Sequence, residues 1–317
     1  MKVLVTPTSL QKDKKSADLD LLRAASFELV FNPMGRPLTE AELIPLLEDC
    51  DGYLAGLDYV TQKVLESCKK LKVISRYGAG VDRVDLAFAK EKGIIVTNTP
   101  GVNAVAVAEL AMALVLSLAR HIPMLDKKTR DGEWIRSTGI ELGGKVMGIM
   151  GLGAIGKNVA RYAQGFGMKV MAYDPYMNEE YAAANNIQAA SFEDVIKVSD
   201  TISLHLPLTP ETKHLINRDV MSQMKPTAIL VNTSRGGIID EDAAYSLLKE
   251  GKLGGLGIDV FENEPPQNSP LFELDNVVVT PHTAAHTKEA TEKMASASVK
   301  NLLDVLSGQT CLFQVNK

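Results

Sequence analysis

The sequence predicts an α/β protein with two doubly wound domains, each built on a parallel sheet. Over the first hundred residues, short apolar runs alternate with helical patterns, and a second alternation of the same kind begins at Lys145. Such alternation implies right-handed βαβ units and open parallel sheets. The length of 317 residues also favours two domains over one.

The first alternation is complete before residue 100 and predicts a flavodoxin-like domain. Its predicted strands are residues 3–6, 29–31, 52–55, 73–76 and 94–97, and its predicted helices are residues 19–25, 40–48, 61–68 and 84–91.

The second alternation predicts a Rossmann domain inserted into the first. Its predicted strands are residues 146–150, 169–173, 201–206, 228–232, 257–260 and 277–280, and Gly167 is the expected stop of its first helix. One long helical pattern, residues 104–121, lies between the two alternations, and another, residues 288–306, follows the second. We therefore expect residues 1–100 with 286–317 to form one domain and residues 101–285 to form the other.

Composition excludes several classes of function. The net charge of −5 provides no basic field for nucleic acid or an anionic membrane surface. The most apolar stretch, residues 104–119, is interrupted by Glu109 and falls short of a membrane span, so we expect a buried or interface helix. Cys50, Cys68 and Cys311 are odd in number and form no Cys-x-x-Cys pair, which favours a reducing cytoplasm and argues against disulfides and zinc. We expect no metal.

A glycine-rich motif, Gly151-Leu-Gly-Ala-Ile-Gly156, follows an apolar run and opens a helical pattern. Gly151 permits a tight turn, Gly153 lets the backbone approach a pyrophosphate, and Gly156 permits close packing of helix on strand. The first helical residues, Ala154 and Ile155, would offer unpaired N–H groups to the phosphates. The motif alone also fits an ordinary turn, but its context predicts dinucleotide binding.

Asp174 ends the next predicted strand, close to the ~20-residue distance at which an acid binds the adenosine ribose. Its carboxylate can accept hydrogen bonds from both ribose hydroxyls and would repel a 2′-phosphate. Because no basic residue is adjacent, the sequence predicts NAD rather than NADP. The alternative is a surface turn aspartate before Pro175.

Three polar residues, Arg235, Glu264 and His282, each follow an apolar run that resembles a strand. In a parallel sheet the strand ends converge on one crevice, so the three side chains are expected to meet. Arg235 would grip a substrate carboxylate, His282 would transfer a proton, and Glu264 would stabilise the protonated imidazole. Each residue alone also fits a structural role, and Glu262 is the alternative partner for the histidine.

In their contexts Asn-Thr-Ser-Arg-Gly-Gly, Asp-Val-Phe-Glu-Asn-Glu-Pro and Thr-Pro-His-Thr-Ala-Ala-His-Thr, these residues resemble the D-isomer-specific 2-hydroxyacid dehydrogenases. Within that family the chain is most similar to D-3-phosphoglycerate dehydrogenases, over nearly its whole length. The resemblance implies NAD-dependent hydride transfer between a D-2-hydroxy acid and a 2-oxo acid in a cleft between domains. It also implies a cytoplasmic homodimer, formed through residues 104–121, that works in serine biosynthesis. Longer members append a regulatory serine-binding domain, and none is expected here.

The resemblance implies further cofactor contacts. Asp259 would accept from the nicotinamide carboxamide, and the remaining cofactor-binding residues are Leu206, Pro207, Thr212, Thr233 and Ser234.

It also implies a substrate pocket in the first domain. Arg76 and Asn103 would line it, and the backbone of the turn containing Gly78, Ala79 and Gly80 would bind an anion. Where many phosphoglycerate dehydrogenases carry an arginine for the phosphate, this chain has Ala-Gly-Leu-Asp at residues 55–58. Arg76 or Lys12 would have to replace that arginine. With Arg76 or Lys12 as that cation, the similarity to phosphoglycerate dehydrogenases makes 3-phosphoglycerate the leading substrate. Glyoxylate and hydroxypyruvate are the alternatives.

A different class of function stays open, because the family includes transcriptional corepressors. The same residues would fit a nucleotide-sensing binding protein without turnover.

Overall fold

The computed structural model describes residues 1–11 and 16–317, so Lys12, a candidate for binding phosphate, lies outside the described residues. The chain forms two compact units. Unit 1 comprises Met1–Asn103 and Thr287–Lys317, and unit 2 comprises Ala104–His286.

Unit 1 has a parallel sheet in the order β2-β1-β3-β4-β5, which is a flavodoxin-like strand order. Its strands are β1 (Lys2–Val5), β2 (Glu28–Phe31), β3 (Gly52–Ala55), β4 (Val73–Arg76) and β5 (Ile95–Thr97). The helices between them are α1 (Ala17–Ala24), α2 (Glu40–Leu47), α3 (Gln62–Ser67) and α4 (Leu86–Glu91). The predicted elements of this half are thus observed, with shifted ends.

Unit 2 has a parallel sheet in the order β12-β11-β10-β9-β6-β7-β8. Its first six strands have the Rossmann order, and β12 extends one edge. The strands are β6 (Val146–Met150), β7 (Lys169–Tyr173), β8 (Ile187–Ala189), β9 (Thr201–Leu204), β10 (Ile229–Asn232), β11 (Gly255–Ile258) and β12 (Val277–Val279). The helices are α5 (Ala104–Ala119), α6 (Ile122–Arg130), α7 (Ala154–Gly165), α8 (Glu179–Ala184), α9 (Phe192–Val198), α10 (Arg218–Met221) and α11 (Glu241–Lys249), with a 3₁₀ turn at Pro270–Glu273.

The last helix, α12 (Lys288–Leu306), belongs to unit 1 and packs on its sheet. The Thr287 side chain accepts a hydrogen bond from the Ala290 N–H and so caps the start of the helix. Leu302 and Val299 are fully buried with Leu54 and Val73 of the sheet. Burial of such side chains stabilises unit 1 by about 1.5–3 kcal/mol each.

Within residues 1–11 and 16–317, no single helix is long and apolar enough to cross a membrane. Only α5 and α6 taken together, which meet at a bend of 63°, reach that length and composition.

Parallel pairing brings the functional motifs of unit 2 to one edge. The strands β6, β9, β10, β11 and β12 run side by side in the same direction, so the loops that follow them leave the sheet at a common edge. The chain order reverses between β6 and β9, and ligands of open α/β sheets bind at such a switch point.

Candidate active site

The glycine motif forms the expected turn between β6 and α7. Gly151 adopts a positive φ of 99°, and its N–H donates to the Tyr173 carbonyl oxygen at 2.8 Å. A Cβ at Gly156 would lie 2.1 Å from the Gly151 carbonyl oxygen, so only glycine permits this approach. A Cβ at Gly153 would meet nothing within 4 Å, which leaves open space at the start of α7. The turn and the helix N-terminus therefore fit a pyrophosphate.

Asp174 lies beside this turn. One carboxylate oxygen accepts from the Leu152 N–H at 2.7 Å, and the other accepts from the Tyr176 N–H at 2.8 Å. These bonds fix the carboxylate next to the glycine motif. Each oxygen retains a further lone pair, so the arrangement is compatible with a pair of ribose hydroxyls.

His282 and Glu264 form a direct pair. The imidazole Nδ1 lies 2.8 Å and 3.1 Å from the two carboxylate oxygens of Glu264. One of these oxygens also accepts from the Phe261 N–H at 3.2 Å. The side chains are only 27% and 15% exposed, so solvent screens their interaction weakly. Because Nδ1 is directed to Glu264, Nε2 is the nitrogen left for proton transfer.

Asp259 anchors the loop that carries His282. It is fully buried, and its oxygens accept from the Thr280 hydroxyl and the Thr283 N–H at 2.6 Å and 2.8 Å and from the Ala284 N–H at 2.9 Å. His282 adopts a left-handed φ of 51°, and its N–H donates to the Asp259 carbonyl oxygen at 2.8 Å. Such strain persists only where surrounding contacts hold it. Contact of Asp259 with a nicotinamide carboxamide stays a prediction.

Arg235 lies in the loop after β10, and this loop touches the Glu264 loop. The Asn232 side chain donates to the Arg235 carbonyl oxygen at 2.7 Å, and the Arg235 guanidinium donates to the Ser234 carbonyl oxygen at 2.6 Å. A Cβ at Gly236 would lie 1.8 Å from the Phe261 carbonyl oxygen. The two loops are therefore in backbone contact three residues before Glu264.

The predicted cofactor residues after β9 and β10 are mostly buried. Leu206 is 6% exposed and lies against Gly151, whereas the Thr212 hydroxyl donates to the Pro207 carbonyl oxygen at 2.6 Å. Thr233 and Ser234 are buried directly after β10.

His205, which we did not single out in the sequence, directly follows β9. Its Nε2 lies 2.9 Å from the Ser203 hydroxyl, and its buried Nδ1 has no hydrogen-bond partner among residues 1–11 and 16–317. Burial lowers the pKa of this imidazole to about 3, so the ring is neutral. The available signal was a histidine at a strand end, as for His282.

In unit 1, Arg76 is 4% exposed and holds two backbone turns. Its guanidinium donates to the Ala55 carbonyl oxygen at 2.7 Å and to the Gly80 carbonyl oxygen at 2.9 Å. The carbonyls of Gly78 and Ala79 also accept hydrogen bonds. Within the described part of the chain, no hydrogen bond takes up the N–H groups of residues 78–81. This arrangement fits an anion-binding turn. Asn103 is half-buried directly before α5.

The loop after β3 contains a buried carboxylate. Asp58 is 2% exposed and accepts from the Tyr53 hydroxyl at 2.7 Å, from the Leu38 N–H at 2.6 Å and from the Thr6 hydroxyl. These bonds neutralise the cost of burying the charge. They fix the loop against the sheet of unit 1.

The chain resembles known proteins in both sequence and fold. Residues 112–284 match the D-isomer specific 2-hydroxyacid dehydrogenase, NAD binding domain. The chain belongs to this family. The predictions of the family, of two doubly wound parallel-sheet domains and of NAD as the cofactor are therefore confirmed.

Three relatives illustrate the range of the family. The chain is 44% identical to D-3-phosphoglycerate dehydrogenase of Methanocaldococcus jannaschii, over 88% of this chain and 54% of that protein. It is 45% identical to glyoxylate reductase of Thermococcus litoralis, over 82% of this chain and 81% of that protein. The structure of D-lactate dehydrogenase from Escherichia coli superposes with a TM-score of 0.84 at 36% identity, over 99% of this chain and 100% of that chain. The chain spans about half the length of the first D-3-phosphoglycerate dehydrogenases that it matches.

Proposed function

We propose that this protein is an NAD-dependent oxidoreductase that interconverts a D-2-hydroxy acid and a 2-oxo acid. The observation that carries the proposal is the His282–Glu264 pair at the sheet edge that also bears the Gly151–Asp174 nucleotide motif. A nucleotide sensor needs no proton donor, so turnover of a 2-oxo acid is the observation that separates the two functions.

His282, Glu264 and Arg235 have different roles in this reaction. The turn of Gly151–Gly156 and Asp174 would hold the dinucleotide, which would supply the hydride for reduction or accept it in oxidation. His282 delivers a proton from Nε2 to the carbonyl oxygen during reduction and accepts the proton from the hydroxyl during oxidation. Glu264 orients the ring through Nδ1 and stabilises its positive charge. Arg235 binds the substrate carboxylate and polarises the adjacent carbonyl.

The test is oxidation of NADH, followed by its absorbance, with a panel of 2-oxo acids. We expect turnover of at least one member, and no turnover of any would overturn the proposal. His282→Ala should lower the rate by about 10²–10⁴-fold, as is typical for loss of a general acid–base group, while NADH still binds. Near-normal turnover of this variant would assign the proton transfer elsewhere.

For the substrate, 3-phosphoglycerate is the first candidate, because curated relatives at 40–44% identity are D-3-phosphoglycerate dehydrogenases. Glyoxylate or hydroxypyruvate is the second, because other relatives are glyoxylate reductases and Gly56 offers no cation for a phosphate. Phosphohydroxypyruvate and hydroxypyruvate should be compared under NADH. A gain in kcat/KM from the phosphate supports the first candidate, and no gain supports the second.

We also propose a cytoplasmic homodimer that works in serine biosynthesis. The proposal rests on the family resemblance, which implies dimerisation through residues 104–121, the region of helix α5. The three cysteines are free, as in a reducing compartment. Light scattering at micromolar concentration should give twice the chain mass of 34.3 kDa, and a monomer would refute the dimer.

A further inference from the structure

Unit 2 contains a second histidine–glutamate pair beside the first. His214, in the loop between β9 and α10, places Nε2 3.2 Å from both carboxylate oxygens of Glu262. Glu262 is two residues before Glu264 and lies in the same loop. The sequence left Glu262 as an alternative partner for His282, whereas the structure pairs it with His214.

The backbone of Glu262 is held from another side. Its N–H donates to a carboxylate oxygen of Glu241 at 2.6 Å. Glu241 is the first residue of α11, and the Asp240 side chain caps this helix by accepting from the Ala243 N–H. The acceptor therefore stands on a fixed helix terminus.

His214 also contacts the loop that carries Arg235. Its N–H donates to the Gly237 carbonyl oxygen at 2.7 Å, and its φ of 49° is left-handed. Two residues later, Ile216 bridges to Ile239 in parallel register. A single residue thus bonds the Arg235 loop through its backbone and the Glu264 loop through its ring.

We propose that Glu262, held by His214 and Glu241, positions Glu264 for its pairing with His282. Two residues span at most ~7 Å of chain, so fixing Glu262 limits where the Glu264 carboxylate can lie. Glu241, His214 and Glu262 are positioning residues in this scheme and touch no substrate. The inference rests on the proposed dehydrogenase function and extends it.

The local charges support this arrangement. Burial raises the pKa of Glu241, and the negative charges of Glu262, Asp242 and Glu264 raise it further against the hydrogen bond from the Glu262 N–H. Four carboxylates therefore lie close together. His214 and His282 each lie within hydrogen-bond distance of one of them, so two of the four carboxylates have an imidazole partner.

The test compares Glu241→Ala with Glu241→Gln. Alanine removes the acceptor for the Glu262 N–H, and glutamine keeps an acceptor oxygen. Because a misplacement of about 1 Å costs up to ~10²-fold, we expect alanine to lower kcat by about 10-fold to 100-fold. Glutamine should restore most of that loss, and the affinity for NADH should stay constant in both. Glu250→Ala, at the other end of α11, is the matched control, since Glu250 pairs only with Arg218 and Lys252 at the surface among its described contacts.

A double-mutant cycle separates positioning from general stability. In a Glu264→Gln background, Glu241→Ala should change kcat by no more than about two-fold, because the carboxylate that it positions is already lost. Full additivity of the two losses would overturn the inference, as would wild-type kcat in Glu241→Ala. Equal losses in the alanine and glutamine variants, accompanied by early thermal unfolding, would also overturn it. If the wild-type protein turns over no 2-oxo acid, the proposed function fails instead.

Discussion

Gly236→Ala is the substitution whose consequence can be worked most directly from the structure. An alanine Cβ would lie 1.8 Å from the Phe261 carbonyl oxygen and 2.7 Å from the Glu262 nitrogen. Both obstacles are backbone atoms, so a side-chain rotation cannot relieve the clash. Real Cβ contacts essentially never fall below 3.0 Å, and the two loops would therefore have to separate by about 1.2 Å.

This displacement acts on the reacting groups, because Arg235 precedes Gly236 and Glu264 follows Phe261 by three residues. A misplacement of about 1 Å in a catalytic array costs up to ~10²-fold in rate. We therefore expect kcat of Gly236→Ala to fall by roughly 10²-fold, measured as NADH oxidation with a 2-oxo acid that the wild-type protein reduces. Binding of NADH, measured by fluorescence, should change much less because the glycine motif lies after β6.

Gly165→Ala is the matched control. A Cβ there would meet nothing within 4 Å, and alanine favours the helix in which Gly165 lies. The control should keep full activity and unfold at the same or a higher temperature. Activity of Gly236→Ala within two-fold of wild type would refute the reasoning that backbone contact of the two loops sets their geometry.

Three further predictions follow from individual contacts. Asp174→Ala should reduce the preference for NAD over NADP, because it removes the charge that repels a 2′-phosphate. The measure is the ratio of kcat/KM with NAD to kcat/KM with NADP, and an unchanged ratio would contradict this role. Burial opposes ionisation of Asp200, but hydrogen bonds from the Lys225 ammonium and the Val146 N–H, both at 2.8 Å, hold the pKa of the carboxyl below its usual value. Asp200→Asn should therefore lower the free energy of unfolding by about 1–3 kcal/mol at pH 7. This difference in the free energy of unfolding should shrink as the pH falls from the usual carboxyl pKa of 3.8 through the lower pKa of the folded state. Urea titrations that give the same difference at all pH values would disprove the assignment. Burial raises the pKa of Cys50 and Cys68 to about 11, so roughly one thiol in 10³ is ionised at pH 8, and a disulfide reagent should label both rapidly only in urea.

The sequence predicted most of the fold because buried parallel strands are continuous apolar runs. It missed β8, an edge strand of three residues in which Gln188 and Ala189 are exposed, since such a strand lacks an apolar signature. It also missed α6, in which none of the residues is buried. This helix begins after His121, whose left-handed backbone conformation is visible only in the structure.

For the site, residue type and strand ends indicated which side chains would carry the chemistry, and the family resemblance favoured Glu264 over Glu262 as the partner of His282. Glu262 and Glu264 differ by two positions in one loop, and the carboxylate that reaches His282 is decided by the path of that loop. Asp259 was expected only from the family resemblance. Its bonds to the loop of Thr283 and Ala284 depend on a turn with no sequence period.

The two histidine–glutamate pairs have the same functional groups but different roles, and the difference in their solvent exposure explains why. His214 and Glu262 are 39% and 36% exposed, so water and salt weaken their attraction, and such surface pairs contribute about 0–1 kcal/mol. His282 and Glu264 are 27% and 15% exposed, and the same charges interact more strongly in that less polar setting. The orientation differs as well, because His214 directs Nε2 to its carboxylate whereas His282 directs Nδ1 and keeps Nε2 for a substrate. A weak, accessible pair suffices to hold a loop in place, while proton transfer requires the shielded pair that the loop presents.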